Sequence, residues 1–195
     1  MNVKRVRTRR NAPAAAPRGK KAYPLAKVYG LLEPGPVVML STVRDGRPNV
    51  MVLSWLTMME FEPPLVGCVV SNANYSFEAL AATKECVINI PTVELAGKVV
   101  RCGNSSGRKV DKFAKFGLTP EYGTHVGAPL VAECYANLEC KVVDDRLVDK
   151  YSFFVLEVVA AWMDRARKDP RTFHHRGRGV FVVDGRVLKL PSRMK

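Results

Sequence analysis

The chain has 195 residues, 47% hydrophobic and 25% charged, which suits one globular core of ordinary size. No apolar run approaches the roughly 20 residues that cross a bilayer, and the basic amino-terminal stretch has no apolar segment behind it, so neither a membrane span nor a secretory signal is expected. The net charge of +13 is uneven: residues 1–21 hold eight of the 31 basic residues and no acid, leaving 23 basic against 18 acidic in the rest.

The first 22 residues, rich in Ala, Pro and Arg, are too poor in apolar side chains to fold alone and are expected to form a disordered basic extension. Weak binding of phosphates would follow from that charge, but no aromatic residue interleaves it, so a nucleic-acid role ranks last. The domain is placed at 23–195. Residues 37–43 (VVMLSTV) read as a strand after the Glu33-Pro34-Gly35-Pro36 breaker, and Asp45-Gly46 as the turn of a hairpin. Residues 49–61 (NVMVLSWLTMMEF) read as one long second strand stopped by Pro63-Pro64, and 65–71 (LVGCVVS) as a third. These strands are apolar on both faces, so each face should be covered, by a barrel interior and by another layer or subunit.

Farther on, 74–84 has helical spacing with Phe77, Leu80 and Ala81 on one side. Residues 86–90 form a short strand, and 92–101 a helix with Thr92 as N-cap. A Gly/Ser loop covers 102–108, followed by a short helix over 110–116 ended by Gly117. Two strand regions follow, 129–144 and 151–164, and a second Asp-Gly hairpin is expected within 179–190. Many short strands with interspersed helices predict a mainly β fold, a barrel with helical insertions.

Three stretches carry polar groups that a plain core does not need. Leu53-Ser54-Trp55-Leu56-Thr57 places hydroxyls and an indole in an apolar strand, where they would either line a flat heterocycle or bond neighbouring backbone. On its own the stretch favours the second. Ser71-Asn72-Ala73-Asn74-Tyr75-Ser76 sits at a strand-to-helix junction, where free N–H groups and hydroxyls suit a phosphate. Simple capping of the helix by Asn72 or Asn74 fits the same residues. Cys102-Gly103-Asn104-Ser105-Ser106-Gly107-Arg108, with Lys112 beyond it, allows close backbone approach and brings positive charge. It is either a ligand loop or a plain surface loop, and it lacks the GK[ST] of a Walker A motif. The five cysteines lack CxxC spacing and the histidines add no zinc pattern, so the thiols, Cys102 among them, are read as reduced and structural.

Taken in order, DGRPNVMVLSW, FEPPLVGCVVS, NYSFEAL, ECVINIP and CGNSSGRKVDKF resemble the flavin reductase-like FMN-binding split-barrel family, closest to its flavoredoxin branch, from about Tyr23 to about Ala161. The resemblance implies a split β-barrel of Greek-key type, a homodimer, and FMN near the subunit interface, while the reduced thiols point to a cytoplasmic protein. It also implies reduction of flavin by NAD(P)H, or electron relay to a redox protein partner. By position it implies that Ser54, Trp55, Leu56 and Thr57 contact the isoalloxazine and ribityl chain, with Asn49 at the start of that strand. Ser71, Asn72, Asn74 and Ser76 match the phosphate turn; Asn89, Ser106, Arg108 and Lys112 complete the set. Relatives often carry an Arg-His-Thr type sequence where Asn74-Tyr75-Ser76 stands here, so a phosphate would lack that cation. No general acid or base is needed, because hydride transfer runs between the cofactors; backbone N–H groups around Ser54 to Thr57 are the expected donors to a reduced ring. His125 and His175 are expected on the surface, with the nicotinamide side as their other reading.

Overall fold

The computed structural model describes residues 17–32 and 35–191. In chain order its elements are β1 (Lys21–Ala22), α1 (Tyr29–Leu32), β2 (Val38–Arg44), β3 (Arg47–Leu53), β4 (Leu56–Phe61), β5 (Pro64–Val69), α2 (Tyr75–Thr83) and β6 (Glu85–Ile90). There follow α3 (Ala96–Gly103), α4 (Lys112–Phe116), β7 (Pro120–Tyr122), β8 (Pro129–Val131), β9 (Ala136–Asp144), α5 (Val148–Tyr151), β10 (Phe153–Met163), β11 (Phe173–His175) and β12 (Phe181–Val183). The main sheet runs β3-β2-β6-β9-β10-β5-β4, with β1 added to β10. Its pairings are antiparallel throughout.

The barrel expected from the sequence is present, and its split is local. β3 and β4 lie at opposite ends of the strand order, yet only Ser54 and Trp55 separate them in sequence. The single strand expected over 49–61 is therefore two. The ladder with β2 ends at Leu53 and the ladder with β5 begins at Leu56, so the backbone leaves one and joins the other across Ser54-Trp55. The β2–β3 turn is as read: Asp45 and Gly46 both take positive φ, 51° and 72°, the combination a two-residue hairpin requires.

Side chains of β2 and β3 alternate between two apolar clusters, the first of which also takes β6, β9 and β10. Val38, Leu40, Ile88, Leu138, Cys140, Phe154 and Leu156 fill the barrel. On the other face Val37, Met39 and Val50 meet Val99 and Cys102 of α3, Phe113 of α4, and Phe173 of β11. The outer face of β2 and β3 is thus covered by α3, α4 and the β11–β12 hairpin of the same chain, whereas that of β4 keeps Met59 and Phe61 exposed. A third group, Val126, Ala128, Leu130 and Trp162, closes the end beneath the 123–128 loop. Glu139, fully buried on β9, pins that loop: its carboxylate accepts from the backbone N–H of Thr124, His125 and Val126 at 3.1, 2.7 and 2.9 Å, and from Trp162 Nε1 at 2.7 Å.

Several boundaries differ from expectation. Ordered structure reaches back past Tyr23: Lys21 and Ala22 pair with Met163 and Trp162, and the buried Lys20 donates from Nζ to Ala132 O at 2.8 Å. The rest of the expected extension, 1–16, lies outside the described residues. The helix read over 92–101 is a 3-10 turn, Val93–Leu95, followed by α3, and α3 runs on through Cys102 into the expected loop. The second Asp-Gly hairpin does not form. β12 turns back on β11 through Arg176–Gly179, and Asp184 instead spends its carboxylate on Thr172 Oγ1 and on His174 Nε2.

Candidate functional site

A groove follows the outer side of β3, from the start of α2 to the β11–β12 hairpin. Its first hollow, about 320 Å³, lies among Asn49, Met51, the 73–76 turn, the 103–107 loop and Lys112. Met51 and Asn74 are shared with a second hollow of about 250 Å³ along Val52, Leu53, Ser54 and Trp55, which Val69 and Ser71 also line. Gly103 and Asn104 are shared with a third of about 290 Å³, where Val52 and Ser54 face His175 and Phe181. All three meet on one strand.

The first hollow is polar by construction. Asn49, buried on β3, donates from Nδ2 to Ser76 Oγ at 2.8 Å and so ties the sheet to the first turn of α2. Asn74 holds the N-cap position with extended φ and ψ, but its side chain makes no capping bond. The first N–H groups of this nine-residue helix therefore face the hollow with no side-chain acceptor of their own. Gly107 must be glycine here, because a Cβ would lie 2.1 Å from Asn49 Oδ1 and 2.7 Å from Tyr75 Cδ1. Only bare backbone approaches that closely.

Lys112 is the most informative side chain in the groove. α4 has its own cap, since Asp111 Oδ1 accepts from Ala114 N at 3.1 Å, and this geometry turns Lys112 inward. It is 4% exposed, lines the first hollow, and makes no hydrogen bond or ion pair with any described residue. Burial lowers its pKa from the ordinary lysine value, with nearby Cys102 acting weakly in the opposite direction. Its Nζ is not among the fully buried polar atoms left without a partner, so it reaches the hollow; a partly desolvated ammonium with no partner among the described residues is costly, and an anion in the hollow would relieve it. Cys102 itself is fully buried, and burial pushes its thiol up. It is a packed thiol, as the sequence suggested.

Of the residues singled out in the sequence, the groove brings together Asn49, Ser54, Trp55, Ser71, Asn74, Ser76, Ser106 and Lys112. Five fall elsewhere. Leu56 packs against the barrel core, because β4 has already crossed the seam. Thr57 lies on the exposed side, its Oγ1 donating to Met58 O at 3.2 Å. Asn72 is exposed at the tip of its turn and lines none of the three hollows. Asn89 is fully buried in an amide network: Nδ2 reaches Met39 O and Ser41 Oγ at 2.9 and 3.0 Å, and Oδ1 accepts from Val131 N and Asn137 Nδ2 at 2.8 and 2.7 Å. It holds β2, β6 and β9 together. Arg108 is drawn off by Glu78, Nη2 to Oε1 at 2.7 Å, and lies over the Tyr75 ring with 5.3 Å to its centroid.

Sequence reasoning missed Met51, Phe181 and the close approach at Gly107. Met51 and Phe181 read as core, and no local signal separates a core-facing from a groove-facing apolar residue on a doubly covered strand. Gly107 did carry a signal, a glycine in a loop bounded by cations. His175 falls in the third hollow, tilted against Phe181 at 5.0 Å between ring centroids. His125 lies away from it, its Nδ1 2.6 Å from Thr124 Oγ1. Among the described residues no group of three or more His, Cys, Asp or Glu could hold a metal ion, and no helix is long and apolar enough to cross a membrane.

Comparison with known proteins agrees with this architecture. The chain is 33% identical over 170 residues to the Escherichia coli K12 protein YddH, covering 80% of this chain and 90% of that one. Its fold superposes on an FMN-binding domain of a flavin reductase-like enzyme from Shewanella baltica OS155 with TM-score 0.84 and 27% identity, over 91% of this chain and 100% of the other. Flavoredoxin of Desulfovibrio vulgaris (Miyazaki F) gives TM-score 0.73 and 28% identity over 81% and 91% of the two chains. The family model for the flavin reductase like domain matches residues 31–181. The chain belongs to the flavin reductase like domain family.

Proposed function

We propose that this chain holds FMN along β3 and works as an NAD(P)H-dependent flavin reductase. The observation that carries the reading is Lys112, a nearly buried side chain whose ammonium has no partner among the described residues, in a hollow that also contains the start of α2 and the Ser105-Ser106-Gly107 turn. Those groups form a phosphate site by their chemistry: one cation, hydroxyls, and backbone N–H at a helix start. Lys112 also supplies the cation that Asn74-Tyr75-Ser76 lacks relative to the Arg-bearing pattern. The hollow along Val52 to Trp55 is lined mostly by apolar side chains, which suits a flat ring. Asn49 and Ser76 would set the height of the phosphate, and Ser54 would bond the polar rim of the ring.

When bound, FMN supplies the two-electron chemistry that no side chain here provides. The chain's own contribution is to fix the ring against β3 and to leave a second hollow beside it. That hollow, lined by Val52, Ser54, Asn104, His175 and Phe181, is large enough to admit a nicotinamide ring. A half-open apolar sheet face extends from the groove across β4, β5 and β10: Trp55 and Met59 are 71% and 49% exposed, and Phe153 packs so tightly over Gly67 that a Cβ there would meet its ring at 2.4 Å. This face supports a homodimer, with the second copy walling the groove at Trp55. A cytoplasmic location fits such a protein and its five unpaired cysteines.

A second reading, an electron carrier that keeps its FMN and passes electrons to a redox protein, is favoured by the likeness to flavoredoxin. Purified protein should be yellow or take up added FMN at micromolar concentration. Anaerobic NADH or NADPH should then bleach the flavin bands if the chain is a reductase. Bound flavin that neither nucleotide bleaches favours the carrier, and a colourless protein that refuses FMN overturns both.

A further inference from the structure

We propose that the β11–β12 turn, through Arg176 and Arg178, binds the 2′-phosphate of NADPH and so sets the nucleotide preference of the site. The inference rests on the reductase reading above and names its electron donor. The third hollow ends at this turn: His175 and Phe181, paired across the hairpin, line it together with Gly179. Arg176 and Arg178, one on each side of Gly177, are exposed. Neither guanidinium makes a hydrogen bond or ion pair with a described residue. Arg178 also stands at φ 50°, between Gly177 at 93° and Gly179 at 76°. In that left-handed stretch a third glycine would be less strained than an arginine.

The turn sits on a fixed base. Arg176 N donates to Val180 O at 2.8 Å and Val180 N to Gly177 O at 2.9 Å, which closes the loop. At the root of the hairpin Val37 N donates to Phe173 O at 2.8 Å and ties β11 to the entry of β2. Charge chooses between the nucleotides. Dinucleotide sites that select NADH hold the ribose 2′-hydroxyl with Asp or Glu, and those that select NADPH meet the 2′-phosphate with Arg. Among the described residues no acid lines the third hollow. Residues 171–191 hold Arg171, Arg176, Arg178, Arg186 and Lys189 against one acid, Asp184. That carboxylate is already taken by Thr172 Oγ1 and His174 Nε2. The rim therefore offers free guanidinium groups and no free carboxylate, which suits a phosphate monoester of about −1.5 to −2 charge at pH 7.

Calorimetry of the FMN-loaded full chain with adenosine 2′,5′-bisphosphate and with adenosine 5′-monophosphate isolates the contact, since neither probe carries a nicotinamide. The bisphosphate should bind about tenfold more tightly, or about 1.4 kcal/mol, and Arg176→Gln with Arg178→Gly should remove that margin. Glycine suits the φ of residue 178, so the variant keeps the turn, and circular dichroism checks its fold. In anaerobic bleaching the same variant should lower the ratio of kcat/KM for NADPH over NADH about tenfold. No margin between the probes, or a margin that the variant keeps, overturns the arginine site, while the reductase reading stands or falls on bleaching alone. An equal loss for both nucleotides assigns the two arginines to the shared pyrophosphate and overturns the 2′-phosphate contact. Bound FMN that neither nucleotide bleaches removes the reductase reading and the nucleotide preference with it.

Discussion

Asn49 and Ser76 are joined by a 2.8 Å hydrogen bond from Nδ2 to Oγ, and through it the centre of β3 sets the position of the first turn of α2. Both side chains are buried, and both line the first hollow. Asn49→Ala should free the helix start and leave the Ser76 hydroxyl short of a donor. Losing one such bond costs about 1–2 kcal/mol, or roughly tenfold in FMN Kd. Fluorescence titration of FMN against the variant and the parent measures it.

Lys112 opposes the fold it belongs to. Burial lowers its pKa, so the charged form is disfavoured in the folded state relative to the unfolded one. The sign follows: its cost is fully present below the folded pKa and fades as pH rises from there toward the ordinary lysine value of 10.5. Lys112→Met should therefore stabilise the flavin-free protein by on the order of 1 kcal/mol, roughly 2–4 °C in Tm. The same variant should bind FMN at least tenfold more weakly. Affinity of the parent should also decline at alkaline pH before 10.5, and the variant should lack that decline. Calorimetry with and without FMN, repeated across pH, reads all three.

Glu139 tests the frame apart from the groove. Its carboxylate takes four N–H donors in a fully buried site. Glu139→Gln places an amide NH2 where acceptors are required and should cost about 3 kcal/mol of stability. Urea denaturation should register that loss, while FMN affinity under native conditions changes little. A stability unchanged within 0.5 kcal/mol, the usual spread of a surface substitution, would contradict the role given to this residue.

The two tryptophans divide cleanly for spectroscopy. Trp162 is buried under the 123–128 loop, whereas Trp55 is 71% exposed on the groove wall. FMN bound along β3 should quench mainly Trp55 emission. Trp55→Phe should remove most of the FMN-dependent quenching while leaving the Trp162 signal. Quenching that persists undiminished would place the ring elsewhere.

Legibility in the sequence followed the range of the interactions. Asp45-Gly46 specifies its own turn, and Gly117 ends α4 with φ of 58°; both are local, and both were readable. The phosphate end of the groove was readable for a related reason, since Asn74, Ser76, Ser106 and Lys112 are polar groups at element ends. The seam was not. Leu53 to Leu56 is apolar enough for an unbroken strand, and the break shows only in the pairing, of β3 with β2 up to Leu53 and of β4 with β5 from Leu56. Asn89 misled for the same cause: an amide in an apolar strand suits a ligand or a core network equally, and three distant strands decide between them. Arg108 depended on Glu78, thirty residues away, which no local pattern reveals.

The two-residue seam makes the chain rigid in length at one point. Ser54 and Trp55 carry the backbone from one rim of the sheet to the other, so one added residue there would slide β4 along β5. Every side chain of β4 would then change faces: Leu56 and Met58 would turn to solvent and Met59 inward. The same addition within 185–191 would disturb no ladder. Tolerance to insertion should therefore differ sharply between two stretches that look equally unstructured.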